Sequence, residues 1–549
     1  MKKIIISALL LSGVLGYSQN KNAFGEKEHM FTKQDSLFGS NTKYRDFWDV
    51  KKYDIEAEPN FAQKSVKGSN RISFSITKDV NNPTFQIDIQ QPMKVSNVMS
   101  DFEITSQKRD GNFLFVQTKG SFKKGDDHFI SMDFEGNPVV AKRAPWDGGW
   151  VFTKDASGKP WMTTATEGIG TSVWLPIKDY WGDEPNNGVT FTVISPKDLT
   201  GVSNGRLIEQ RTENGKNVSV WEVKNPINDY SITPYVGNYV HFGDSFDGEK
   251  GKLSLDYYVI KENLDKAKKQ FEQVKPMMKA FEHWFGPYPF YEDGYKLVET
   301  PHLGMEHQSA VAYGNKYQNG YLGRDLSGTG VGLKFDFIII HESGHEWFAN
   351  NITAQDTADM WVHESFTCYS ETLYSDFVFG KEDGNKYLIG QRHNIQNDEP
   401  IIPAYDVRAH GSGDMYYKGA SMLHTIRQII NDDEKFRQIL RGLGKDFYHQ
   451  TVTGKQIQDY INQKSGIDFS TVFSQYLTTT NIPKLEYKQD GKKLSFRWVN
   501  TVKDFKLPVR LKNSKIVITP SEEWKTVKLK DKNPVEWDDN YYIDYTLIK

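Results

Sequence analysis

Two periods of apolar residues divide the chain. From about residue 40 to 245 the pattern is that of strands. Arg71-Ile-Ser-Phe-Ser-Ile76 and Phe85-Gln-Ile-Asp-Ile89 alternate apolar and polar side chains, the period of a sheet with one buried face. Asp110-Gly111 and Asn214-Gly215 stand between such runs and predict hairpin turns. Past Lys261 the period lengthens. Leu264, Ala267, Phe271, Val274, Met278, Phe281 and Phe285 recur at alternating steps of three and four, one stripe of an amphipathic helix. Pro276 lies inside that stripe and predicts a kink, and Gly286-Pro287-Tyr288-Pro289 ends it. Helical segments dominate to about residue 480. Strands return at Lys484, with Leu485-Glu-Tyr487, an Asp490-Gly491 turn and Leu494-Ser-Phe496-Arg-Trp498. The expected architecture is multidomain α+β: an N-terminal antiparallel β-domain over 19–245, a mostly helical domain over 246–483 and a small C-terminal β-domain over 484–549.

Length and composition agree with that division. A chain of 549 residues exceeds what one core supports. Lys and Arg total 68 against 71 Asp and Glu, a net charge of −3, and no basic tract interrupts the balance, so a nucleic-acid partner is not expected. Residues 1–18 read as a signal peptide. Lys2 and Lys3 precede an apolar run from Ile4 to about Leu15, too short to span a bilayer, and the expected cut lies between Ser18 and Gln19. The expected product is exported, periplasmic or extracellular, without stable membrane insertion. The single cysteine, Cys368, allows no internal disulfide, so stability must come from burial.

The chemistry concentrates after the apolar run Phe337-Ile-Ile-Ile340, in His341-Glu342-Ser343-Gly344-His345. Positions four apart on a helix differ by about 40° in azimuth, so both imidazoles face one way and form half of a tetrahedral zinc site. Glu342 stands beside the metal as a proton acceptor. Eighteen residues separate His345 from Glu364, room for one helix to end and a second to return antiparallel with a third ligand. Glu371 follows Glu364 by seven residues, about 20° away in azimuth, where it can accept the other ring N–H of a zinc-bound histidine. His363 points about 100° away from Glu364 and is not expected on the same metal. Cys368 reads as a small buried thiol, and Gly344 as a point of close packing.

These residues resemble the M1 family of zinc aminopeptidases. His341-Glu-Ser-Gly-His345-Glu-Trp347-Phe-Ala-Asn350 is similar to the family's HExxH-x-WFxN segment, and the gap to Glu364 matches. Leu303-Gly304-Met305-Glu306-His307 resembles the GAMEN strand, departing at Leu303 and His307, and Tyr416-Tyr417-Lys418-Gly419 resembles the YEKG segment. The resemblance, which spans about residues 160–430, implies a thermolysin-like catalytic domain holding one Zn2+ per chain on His341, His345 and Glu364. It implies Glu342 as general base, Tyr416 as oxyanion donor, Gly304 and Met305 along the substrate, and Glu306 on the substrate's α-amino group. Glu167, nine residues before Pro176, stands where members place a second amine contact. The large C-terminal helical domain of many members has no room here. Peptides with a free N-terminus are the implied substrates. Two alternatives stay open: an endopeptidase with an open cleft, and a non-catalytic binding protein stabilised by zinc. Epoxide hydrolysis, found in one branch of the family, has no feature here that points to it.

Overall fold

Trp48–Asn60 alternates buried and half-buried residues along its length, and it is the strand on which the N-terminal unit is built. In the computed structural model, which describes residues 31–512 and 514–549, it lies inside a seven-stranded sheet. The predicted signal peptide falls outside the described residues. The sheet runs in the order Arg206–Glu213, Lys216–Val223, Val189–Pro196, Trp48–Asn60, Ser65–Ile76, Asp127–Gly136 and Lys94–Ser100. Its pairings are antiparallel but for one: Trp48–Asn60 runs parallel to Val189–Pro196, with Tyr53 opposite Val189. The expected Asn214-Gly215 turn joins two paired strands with φ of 48° and 75°, the left-handed values that a two-residue hairpin needs. Asp110-Gly111 and Asp490-Gly491 also close hairpins.

Alternation misleads at Thr84–Asp88. Gln86 and Asp88, read from the pattern as facing solvent, are fully buried along with Phe85 and Ile87. The guanidinium of Arg45 covers that face and pairs with Asp88, while Gln86 Nε2 donates to Asp88 Oδ1 at 2.8 Å. A charge can be buried there because it is paired and hydrogen-bonded.

The second unit begins earlier than the boundary at 245 that the sequence suggested, since that position falls inside a strand. Tyr239–Gly248 pairs with Gly251–Ile260, and both belong to a five-stranded sheet completed by Tyr295–Glu299, Val311–Tyr313 and Gly304–Met305. Helices pack on this sheet. The expected kink takes the form of a break: helix Leu264–Gln270 gives way to a tight turn at Phe271–Gln273, and a new helix runs Val274–Phe285. Pro276 thereby falls in a first turn, where its missing N–H costs nothing. From Lys484 the chain forms a four-stranded sheet in the order Lys525–Lys528, Lys493–Val499, Lys484–Asp490, Asp544–Leu547. Its inner face (Leu485, Phe496, Trp498) shares one hydrophobic core with the helices. No described helix is long and apolar enough to cross a membrane.

An acidic segment fills the seam between the first two units. Asp183 pairs with Lys178, and Asp179 Oδ1 accepts Arg408 Nη1 at 2.7 Å. Glu184, close to Thr353, keeps one buried oxygen without a partner, and burial pushes its carboxyl from 4.5 to about 8. The folded state therefore holds a proton that the unfolded chain releases. Stability from this group is complete below about pH 4.5 and is lost as pH rises through 8. Glu184→Gln should flatten that fall: urea midpoints of variant and parent should diverge more at pH 8.5 than at pH 5. Parallel curves would remove Glu184 as the cause.

Candidate active site

The helix Phe337–Gly344 starts where Asp336 Oδ1 accepts the N–H groups of Ile338 and Ile339, a side-chain cap. Every residue of that helix is buried, which fixes its roll and places His341 and Glu342 in its last turn. His345 caps its end. The chain then turns sharply through Glu346–Asn350, with Ala349 at φ 134°, a strained value for a residue with a side chain. That turn aims the Phe348 carbonyl at His345, whose Nδ1–H donates to it at 3.1 Å. The carbonyl of strained Ala349 is held by Thr353 Oγ1 at 2.6 Å and Asn228 Nδ2 at 3.2 Å.

The returning helix Trp361–Phe379 carries Glu364 and Glu371. It packs against the first helix at Gly344, where a Cβ would meet Ser370 Oγ at 2.6 Å; only glycine permits that approach. His341 Nδ1–H donates to Glu371 Oε1 at 2.7 Å. Glu371 Oε2 accepts the Tyr387 hydroxyl at 2.6 Å and Gln391 Nε2 at 2.9 Å, so this carboxylate is fully engaged. With both Nδ1 atoms donating, each imidazole presents an Nε2 lone pair, and both face Glu364 Oε2, at 3.6 Å from His341 and 3.4 Å from His345. Glu364 Oε2 is buried with no hydrogen-bond donor. The ligand atoms of these three residues lie within 4.8 Å of one another. Two fixed nitrogen lone pairs and a bare carboxylate oxygen converging on one point fit a zinc ion, so these are the residues that would hold it.

Five further residues close around this set. Gly304, on the edge strand, abuts Glu342: a Cβ there would lie 2.8 Å from Glu342 Oε1. Met305 and Glu306 follow it and are buried. Asn350 Nδ2 donates to the Glu306 carbonyl at 2.8 Å and so ties the edge strand to the motif turn. Tyr416 precedes the helix Tyr417–Ile430, and its hydroxyl donates to Glu364 Oε1 at 2.9 Å. Ser365 Oγ holds the Met415 carbonyl at 2.7 Å, fixing that segment on the returning helix. Glu167 arrives from the N-terminal unit, on the loop after strand Pro160–Ala165, and Arg408 Nη2 donates to its carbonyl at 3.2 Å.

His363 and Cys368 stand apart. His363 Nε2 accepts the Ala354 N–H at 2.8 Å, its ring stacks on Trp181, and burial pulls its pKa down to about 3. Cys368 is a buried free thiol. Tyr230 was not foreseen: its buried hydroxyl feels the charges of Glu306 and Glu167, which, after burial, push the phenol up. Nothing in the local pattern around Asn228–Ser231 marks it.

Electrostatics define the pocket. Burial, then the charges of Glu306, Glu364 and Glu342, drive Glu167 well above the usual carboxylate range. Burial raises Glu306 as well, and lifts Glu342 to about 7. Glu364 also pays for burial, but the two imidazoles outweigh it and hold the group below its ordinary value. Glu167 Oε1 and Glu306 Oε1 are buried without partners.

The profile of the Peptidase family M1 domain matches residues 269–476, and that of the Peptidase M1 N-terminal domain matches residues 50–230. The chain belongs to peptidase family M1. This M1 chain is 21 % identical over 466 residues to "Probable aminopeptidase 2" of Sulfurisphaera tokodaii, covering 81 % of this chain and 55 % of that protein. It is 22 % identical over 496 residues to "Leucyl aminopeptidase" of Saccharolobus solfataricus, covering 85 % and 59 %. The chain thus spans little more than half the length of these relatives. Its fold is that of a variant M1 zinc metallopeptidase from Deinococcus radiodurans solved with a Tyr-Ser-Ala substrate. The TM-score is 0.66 at 17 % identity, over 81 % of this chain and 98 % of the other.

The Glu371 contact yields a direct test. Glu371→Gln removes the charge that fixes the His341 tautomer, and loss of such a partner lowers metal affinity about 10- to 100-fold. Competition between the purified protein and a chromophoric chelator measures it. Unchanged affinity would separate Glu371 from the metal.

Proposed function

We propose that this M1 chain is a zinc-dependent aminopeptidase, hydrolysing the N-terminal peptide bond of peptides and acting outside the cytoplasm. The observation that carries the reading is the pair of buried, unpartnered carboxylate oxygens on Glu167 and Glu306, beside a set of metal donors. A zinc ion on His341, His345 and Glu364 answers only part of the pocket's negative charge. A substrate ammonium answers the rest, and its fixed distance from the metal selects the first peptide bond. The Tyr-Ser-Ala peptide in the Deinococcus radiodurans structure and the aminopeptidase names of the relatives support the same reading.

A zinc ion held by His341, His345 and Glu364 would supply a Lewis acid able to activate water near neutral pH. The residues of the chain do the remainder. Glu342, lifted to about 7 by burial, is matched to accept a proton from the attacking water near neutral pH and return it to the leaving amine. The absence of a side chain at Gly304 leaves room for the Glu342 carboxylate beside the edge strand. The Tyr416 phenol stays protonated, because burial and Glu364 push it up, so its hydroxyl can turn from Glu364 to the oxygen on which negative charge grows. A preorganised donor of that kind contributes about 3–4 kcal/mol. Glu167 and Glu306 hold the ammonium, and a blocked amine leaves both buried and unpaired.

Export rests on Lys2, Lys3 and the short apolar run after them. Sequencing the N-terminus of protein secreted by its native host should begin at Gln19; retention of Met1 in the mature protein would exclude processing. For the activity, free-amine aminoacyl reporters should turn over while their N-acetylated forms do not, a gap of at least about 10³-fold on the scale of unpaired buried groups. Equal rates would sink the aminopeptidase reading in favour of an endopeptidase. In the same assay Glu342→Gln should retain zinc and lose turnover, and residual full activity would remove it as the base.

A further inference from the structure

Glu371 is not held by the returning helix alone. Both donors to its outer oxygen, Tyr387 and Gln391, come from the next helix, Lys381–Gln391. The residue after Gln391 is Arg392, which caps the end of that helix and points the other way, into the C-terminal unit. There its guanidinium donates to three main-chain carbonyls: Asp539 at 2.5 Å, Asn540 at 3.1 Å and Tyr541 at 3.2 Å. The turn that offers them is itself clamped. Asp538 Oδ1 accepts the Asn540 N–H at 3.0 Å, Asn540 Oδ1 receives His424 Nε2 at 3.0 Å, and the Tyr542 N–H donates to Thr425 Oγ1 at 3.1 Å. The turn is thus wedged between the end of helix Lys381–Gln391 and helix Tyr417–Ile430.

We propose that the C-terminal sheet unit is part of the support of the metal centre. Its turn 538–542 grips Arg392, Arg392 fixes the end of helix Lys381–Gln391, and Gln391 and Tyr387 are thereby held on Glu371, which orients His341. Arg392 is a positioning residue, four contacts removed from the metal. The geometry suits arginine and no other cation: a planar fork reaches three carbonyls of one turn, and the compact ammonium of a lysine does not. The carbonyls offer no carboxylate geometry, so the contact fixes position and orientation instead of neutralising a charge. A carboxylate that must hold an imidazole tautomer needs its own donors fixed, because a ligand left to swing binds metal less tightly. The inference rests on zinc at His341 but not on the peptidase activity; a protein that binds zinc and cleaves nothing would leave it intact.

The test is zinc affinity of the purified full chain, read by chelator competition. Gln391→Leu should lower affinity about 10-fold or more. Arg392→Gln should lower it about 3- to 10-fold, and Arg392→Lys, which keeps the charge and part of the contact, by less. The double variant Gln391→Leu with Arg392→Gln should lose less affinity than the two single losses combined, since Arg392 acts in part through Gln391 and only the Tyr387 route remains. Arg510→Gln serves as the control: Arg510 ties the same unit to Asn431 without touching helix Lys381–Gln391, and its loss should leave affinity unchanged. Unchanged affinity in Arg392→Gln, full additivity in the double variant, or an equal loss in Arg510→Gln would each overturn the proposal.

Discussion

Three buried carboxylates, Glu306, Glu342 and Glu364, and the carboxyl of half-buried Glu167 share one pocket with two imidazoles. Negative charge at that density is not tolerated in a low-dielectric interior without cations. The fold resolves the conflict unevenly. Glu364 gains from the imidazoles, Glu342 sits near neutrality, and Glu167 and Glu306 hold bare oxygens that nothing in the chain satisfies. The pocket therefore calls for positive charge from outside the chain, part of which a zinc ion on His341, His345 and Glu364 would supply.

Holding such a set open costs backbone order, and the cost is visible at two positions. Ala349 is kept at a left-handed φ by hydrogen bonds to its own carbonyl, and the turn it makes gives His345 its acceptor. Gly344 surrenders a side chain so that two helices can approach to the depth at which Glu364 meets both imidazoles. Around these, Asn350 joins the motif turn to the strand of Glu306, and Ser365 joins the returning helix to Tyr416. Four separate stretches of chain are thus locked to a common origin.

Helical arithmetic explains why the metal set was legible in the sequence. His341 and His345 share a helical face, the eighteen-residue gap fits a helix return, and the seven-residue step puts Glu371 beside Glu364, where it meets His341. The Glu167 side of the pocket had no such arithmetic. Glu167 and Arg408 are 241 positions apart, and loops carry both, so no period links them. Tyr230 and the Phe348 carbonyl enter through irregular turns for the same reason. The boundary at 245 was misplaced because a hairpin strand has the same alternation whichever sheet it joins. Gln86 and Asp88 misled because a covering arginine makes a polar position a buried one.

Glu167 reaches the pocket from the N-terminal unit, while the metal donors come from the helical unit, and the Asp179–Arg408 pair bolts the two together. The carboxyls that face the metal donors with bare oxygens, Glu167 and Glu306, are therefore divided between two units of the chain. With the seam open, the metal donors and Glu342 would stay together on the helical unit while Glu167 left them.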